Sequence, residues 1–426
     1  MARLSPARRS GKLSPMSVLE DARSRFPALA RKIDGRPVVF ADAPGGSQVP
    51  EAVIEAMAGY LRRSNANAHG AFETSQETDE VIAGAHRAAA DLLNADPDEV
   101  IFGPNATSLL LAMSRSIGRT LSPGDEVVVT RFDHDANVRP WVLAAEDAGA
   151  TVRWVDLRDE DVTLDLGSFE AALSGRTKVV AFSLASNAVG TITPAAGLAR
   201  LVRERTDAIV ACDGVHLAQH REIDVRAIGA DLVACSPYKI FGPHLGIVFG
   251  RRELLASLRP YKVRPATDEL PYAFETGTMN HEAFAGWIAA VEYLASLGAA
   301  TGVDRRARIA EAFEHVIVPY EAELSKRFLD GMRSISTVRL YGIADPGRVD
   351  ERTPTFAVRV GDQHPAETAK ALAERGVFAW DGNYYALELM ERLGLEDTGG
   401  AVRIGFCHYN TAAEVDRVLE ELAALT

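Results

Sequence analysis

The stretch that decides the fold runs from Asp231 to Gly250 and reads DLVACSPYKIFGPHLGIVFG. An apolar run, Leu232 to Cys235, leads into Ser236, Pro237, Tyr238 and Lys239. A Gly-Pro turn follows at Gly242 and Pro243, then a second apolar run from Gly246 to Phe249. The pattern predicts two buried strands with a lysine on the connection between them. A buried lysine is costly unless it is paired or chemically used. Two readings follow: a surface lysine at a strand end, or a lysine held in a site with a depressed pKa, ready to form a Schiff base.

Upstream, Ala208 to Cys212 reads AIVAC and runs into Asp213 and Gly214. Alone, such an aspartate is a helix cap or turn residue. At the C-terminal end of an apolar strand it also occupies the place where open parallel sheets bind ligands. An aspartate followed by a strand-end lysine is the pair that pyridoxal 5'-phosphate (PLP) needs. The carboxylate pairs with the pyridinium nitrogen and the lysine forms the imine.

With those residues in hand, the run from Asp213 to Gly250 resembles the class V aminotransferase group of fold-type I PLP enzymes. Within that group it resembles the cysteine desulfurase and selenocysteine lyase branch, and the resemblance extends from about Asp42 to the C-terminus. It implies an α/β fold: a mostly parallel sheet sandwiched by helices, with a smaller α+β C-terminal domain. The alternation of strand and helix along the chain supports the same class. The implied division is a disordered tail over 1–16 with Met16 as an alternative start, an N-terminal segment over 17–60 packing with the small domain, a large PLP-binding domain over 61–298, and a small domain over 299–426.

The small-residue turn Gly103, Pro104, Asn105, Ala106, Thr107 opens a helix running to about Ile117. A helix N-terminus presents free N–H groups and the positive dipole end, a cradle for phosphate. The resemblance gives Ala106 and Thr107 that role, with Ser236 as a further phosphate ligand. His134, in His-x-Ala-Asn-x-x-Pro-Trp, resembles the histidine that stacks on the pyridine ring. Asn187 resembles the asparagine at the ring oxygen. His216 stands near that oxygen where the family usually has Gln, and Tyr238 replaces a usual His beside the lysine. Lys239 is the implied Schiff-base lysine and general base, with Asp213 and His134 beside it as catalytic groups. Thr278, in a Glu-x-Gly-Thr segment, implies a homodimer with shared sites. Arg403, in AVRIGF, resembles the arginine that clamps a substrate carboxylate, and a planar fork suits that task. His69 is a candidate on the substrate side. No metal site is expected.

The sequence departs from the desulfurase pattern over Val377 to Leu389, VFAWDGNYYALEL. Tyr385 stands at the nucleophile position and Trp380 where desulfurases carry an arginine. None of Cys212, Cys235 and Cys407 falls in this loop. A phenol with an ordinary pKa near 10 cannot replace a thiolate as sulfur acceptor. Cys407 follows Arg403 by four residues, about 13 Å along a strand, too far to attack a substrate held there. Asn383 and Tyr385 are expected to contact substrate within an aromatic wall. That wall suits a substrate larger or more apolar than cysteine. The expected function is a desulfurase-like lyase that uses no enzyme cysteine, with transamination or epimerisation as alternatives. A PLP-binding protein without enzymatic function is the rival from another class.

Composition sets the outer bounds. The 426 residues suffice for two or three domains. A formal net charge of -13 leaves no basic surplus for a nucleic-acid backbone. No apolar run approaches the ~20 residues of a membrane span. Residues 1–15 lack an apolar signal core, and a cytoplasmic location is expected.

Overall fold

The computed structural model describes residues 15–298 and 303–425. Most of the expected N-terminal tail, through residue 14, and the segment 299–302 lie outside the described residues. Among the described residues, no helix is long and apolar enough to cross a membrane.

The larger sheet has seven strands: β1 (Val100–Gly103), β2 (Glu126–Thr130), β3 (Thr151–Val155), β4 (Thr177–Ser183), β5 (Ile209–Asp213), β6 (Leu232–Cys235) and β7 (Gly246–Gly250). Their order is β1-β7-β6-β5-β4-β2-β3. Strands β2 to β6 pair in parallel, and only β7 runs against its neighbours. Buried strands of parallel sheets read as continuous apolar runs, which is why these segments stand out in the sequence. Six of the seven are buried or nearly so along their length, whereas edge strand β3 alternates exposed and half-buried positions before a buried Val155.

A smaller antiparallel sheet follows: β8 (Val338–Tyr341), β9 (Thr355–Val360), β10 (Trp380–Gly382) and β11 (Ala401–Gly405), in the order β8-β9-β11-β10. The N-terminal segment joins it. Val39–Phe40 pairs with Val377–Phe378, and Gly405 N–H donates to Ala41 O at 2.8 Å.

Two helices differ from the sequence expectation. A helix over 17–29 is predicted, but the helix spans Pro15–Ser24 and a separate turn covers Pro27–Ala30. Pro27 has no N–H to continue the ladder. The helix predicted from Thr78 starts at Glu73 instead. Its first turn is polar and reads as loop, yet Ser75 and Thr78 are fully buried, and the Thr78 hydroxyl meets the Tyr60 hydroxyl at 2.9 Å. Tertiary burial overrides the local signal there.

Candidate active site

One cavity opens at the C-terminal ends of the parallel strands, where such sheets place ligands. Asn105, Ala106 and Thr107 reach it from behind β1, His134 and Ala136 from β2, Ser183, Ala185 and Asn187 from β4, Asp213, Val215 and His216 from β5, and Ser236, Tyr238 and Lys239 from β6. All the residues expected to hold the cofactor therefore meet here, Thr278 excepted.

Lys239 lies in the short 3-10 turn Pro237–Lys239 and is 6% exposed. Burial and the nearby Arg403 charge lower its pKa from the usual lysine range to about 7, against the opposing pull of Asp213. Asp213 is also buried, and its Oδ1 accepts the Val215 N–H at 2.8 Å. Burial raises its pKa. The two act on each other electrostatically, and each opposes the shift that burial imposes on the other.

His134 accepts the Ala136 N–H on Nδ1 at 3.0 Å, which leaves the ring proton on Nε2. Burial and the charges of Lys239 and Arg403 push its pKa down to about 3, so the ring is neutral. Beneath it lies a residue that the sequence reading missed. Asp133 is buried and accepts hydrogen bonds from Thr130 Oγ1 at 2.8 Å, Ser183 N–H at 2.9 Å and Asn137 Nδ2 at 2.7 Å. It ties the end of β2 to the end of β4 and so fixes the loop carrying His134. The spacing Asp133 to Asn137 was its one sequence signal.

The anion end is built from the Ala106–Gly118 helix. Asn105 caps it by accepting the Ser108 N–H at 2.8 Å. A Cβ at Gly246 would overlap the first peptide of this helix, so glycine lets β7 lie against the helix N-terminus. With the Thr107 and Ser236 hydroxyls, this donor set suits a phosphate. Among the described residues, two buried polar atoms of the same cavity have no hydrogen-bond partner: Asn187 Oδ1 and His216 Nδ1. Buried polar atoms without partners call for a ligand or water. An acid at one end, an anion cradle at the other and an amine between them fit PLP.

Arg403 is buried on β11, and its Nη1 donates to Asn187 O at 2.8 Å while Nε is unpartnered. Its guanidinium lies 4.4 Å over the Tyr384 ring.

The loop at the desulfurase nucleophile position is held down. Asn187 Nδ2 donates to Tyr384 O at 2.9 Å, and Asp135 N–H donates to Tyr385 O at 2.6 Å. Tyr384 and Tyr385 have φ of 55° and 58°, a left-handed conformation that non-glycine residues adopt only when their surroundings impose it. The Tyr385 ring stacks on His134 at 5.5 Å with an 18° interplanar angle.

Other expected substrate contacts fall elsewhere. Asn383 donates to Glu396 Oε1 at 3.0 Å and accepts the Tyr385 N–H at 3.0 Å, so both ends of its amide serve the loop. His69 is exposed, pairs with Asp79 at 3.1 Å, and lines neither this cavity nor the neighbouring one at Tyr238. Thr278 is exposed outside both. Cys407 lies past the end of β11, and all three cysteines are buried, with their thiol pKa values pushed up by burial.

Comparison with known proteins shows the family and the fold. The aminotransferase class-V family model matches residues 39–418. A probable cysteine desulfurase of Streptomyces coelicolor is 33% identical over 95% of this chain and 96% of its own length. The apo structure of a cysteine desulfurase from Thermococcus onnurineus superposes with a TM-score of 0.84 at 26% identity, covering 95% of this chain and 97% of that one. The Escherichia coli cysteine desulfurase CsdA gives 0.80 at 25% identity, over 96% and 98%.

Proposed function

The chain belongs to the class V aminotransferase family of PLP-dependent enzymes, and from that premise we propose that it acts on an amino acid through Lys239, as a desulfurase-like lyase that uses no enzyme cysteine. One observation carries the reading: Lys239 and Asp213 are buried in a single cavity beside an anion cradle.

Bound there, PLP supplies an aldehyde that condenses with amines and a ring that accepts electrons from the substrate α-carbon. Ala106, Thr107 and Ser236 would hold its phosphate, Asn187 and His216 would serve its ring oxygen, His134 would cover its ring, and Asp213 would keep its nitrogen protonated. Lys239 Nζ, with its pKa near 7, is substantially neutral at physiological pH and takes the α-proton as general base. Arg403 holds the substrate carboxylate. Asn383 sets the loop that presents Tyr385 at the mouth, and Thr278 completes the site of a second copy. His69, exposed in one chain, has a place in the substrate path only in such a dimer. Residues 61–298 then form the cofactor domain and 299–426 the small domain, with 17–60 packed on the latter. The pairing of residues 39–40 with 377–378 supports that last assignment for the strand, whereas the Glu51–Arg63 helix packs on the His281–Ala295 helix of the cofactor domain. Transamination is the alternative outcome, because the residues that remove the proton are the same.

The absence of persulfide chemistry is supported by the buried, protonated thiols and by Tyr385 at the acceptor position. The test is cysteine with PLP-loaded protein, with and without reductant. We expect no persulfide on Cys212, Cys235 or Cys407. Stoichiometric alanine together with a persulfide on any of them would refute the reading. In Tyr385→Cys, slow alanine release would identify the thiol as the missing part; no gain would point to the pinned loop and Trp380 as a second barrier.

A further inference from the structure

A second cavity, of about 480 Å³, adjoins the first at Tyr238. Its rim carries Trp380, which is paired with Arg403 across β10 and β11. An amino acid with its amine at Lys239 and its carboxylate at Arg403 is therefore flanked by the two residues that frame this cavity. The far wall is apolar: Val49, Val53, Ile54 and Met57. Ile54 is 41% exposed and Trp380 53%, so their apolar faces are open.

The near wall is rigid. A Cβ at Gly45 would overlap the Trp380 indole, and one at Gly46 would come within 3.3 Å of the Tyr238 ring. The Gly45–Gly46 backbone is thus sandwiched between two aromatic rings, and His244 stacks on Tyr238 at 5.1 Å.

The polar groups here are mostly spent on the protein. The Ser47 hydroxyl accepts the Phe241 N–H at 2.8 Å, and Asn280 caps a helix by accepting the Ala283 N–H at 3.0 Å. Asp42 is the exception: its Oδ1 is buried without a partner. A carboxylate at this wall opposes an acidic side chain, and neither a lysine nor an arginine is among the residues that line this cavity.

We propose that this cavity is the subsite for the substrate side chain, that it takes a bulky, neutral, apolar one, and that Trp380 sets the preference. The proposal rests on the reading of Lys239 and Arg403 given above, and it names the substrate class for that site. Each buried methylene is worth roughly fourfold in affinity, so leucine gains on the order of 50-fold over alanine when fully buried.

The experiment titrates PLP-loaded, full-length protein with leucine, phenylalanine, alanine, cysteine and glutamate, following the visible absorbance of the cofactor. We expect leucine and phenylalanine to bind at least tenfold more tightly than alanine, and glutamate to bind most weakly. In Trp380→Ala, and independently in Ile54→Ser on the opposite wall, the leucine-to-alanine ratio falls at least threefold. Alanine binding as tightly as leucine, or glutamate binding best, overturns the proposal. Alanine binding while leucine and phenylalanine are excluded also overturns it and shows the cavity filled by a second copy of the chain. If no amino acid perturbs the spectrum, the reading of Lys239 and Arg403 fails, and the subsite fails with it.

Discussion

At the scale of single residues, the account turns on a lysine that would be unfavourable in most proteins. Burial and Arg403 favour its neutral form, and Asp213 limits the shift. The neutral amine is the species that attacks an aldehyde, and lowering the pKa enlarges its fraction at a given pH. The rate of PLP uptake by apo protein should therefore rise with pH, reach half its plateau near pH 7, and change little above pH 8. Stopped-flow absorbance measures this, and a rate still climbing through pH 10 would mean that Lys239 titrates as a solvent lysine. Asp213 and Lys239 were legible in the sequence because the first ends an apolar strand and the second follows one by four residues. Strand ends in a parallel sheet converge, so local position implied tertiary proximity. His69 shows the limit of that logic: it lies in a polar loop with no strand to aim it, and the fold turns it to Asp79.

At the scale of elements, the loop Ser186–Ile192 carries Asn187 and is braced from the small sheet. Arg352 is 1% exposed, and its guanidinium donates to four carbonyls, those of Thr353, Ile343, Val189 and Thr355. It has no carboxylate partner among these bonds, and burial lowers its pKa to about 9. It joins the Asn187 loop to β9 through hydrogen bonds alone. Arg352→Ala strands several buried carbonyls, and we expect it to cost about 3–5 kcal/mol. A shift of the urea midpoint with unchanged slope measures this; a loss under about 1 kcal/mol would show that the brace is dispensable. None of this was legible in the sequence, because the four carbonyls belong to residues spread from 189 to 355. The same holds for Asp133, whose three partners come from two strand ends and a turn, and for the Trp380 wall, which needs Gly45 from the other end of the chain. Strands announced themselves by composition, whereas long-range polar bracing did not.

At the scale of the whole molecule, the N-terminal segment is threaded through both sheets' surroundings. Val39–Phe40 pairs with Val377–Phe378, and Gly45 and Gly46 lie between Trp380 and Tyr238. The second cavity is thus assembled from the start, middle and end of the chain. Thr278 is exposed and stands two residues before Asn280, which lines the second cavity. If the second copy supplies Thr278, mixing inactive Lys239→Ala with inactive Thr278→Ala chains leaves one of the two sites intact and should restore about half of the wild-type activity in verified mixed dimers. No recovery would mean that each chain completes its own site. The central claim, that Lys239 is the residue through which PLP and substrate act, has a more direct test. PLP-loaded protein is reduced with borohydride, digested and mapped by mass spectrometry. The account predicts the pyridoxyl mass on Lys239 and none in Lys239→Ala; the mass on another lysine, or its persistence in the variant, would contradict it.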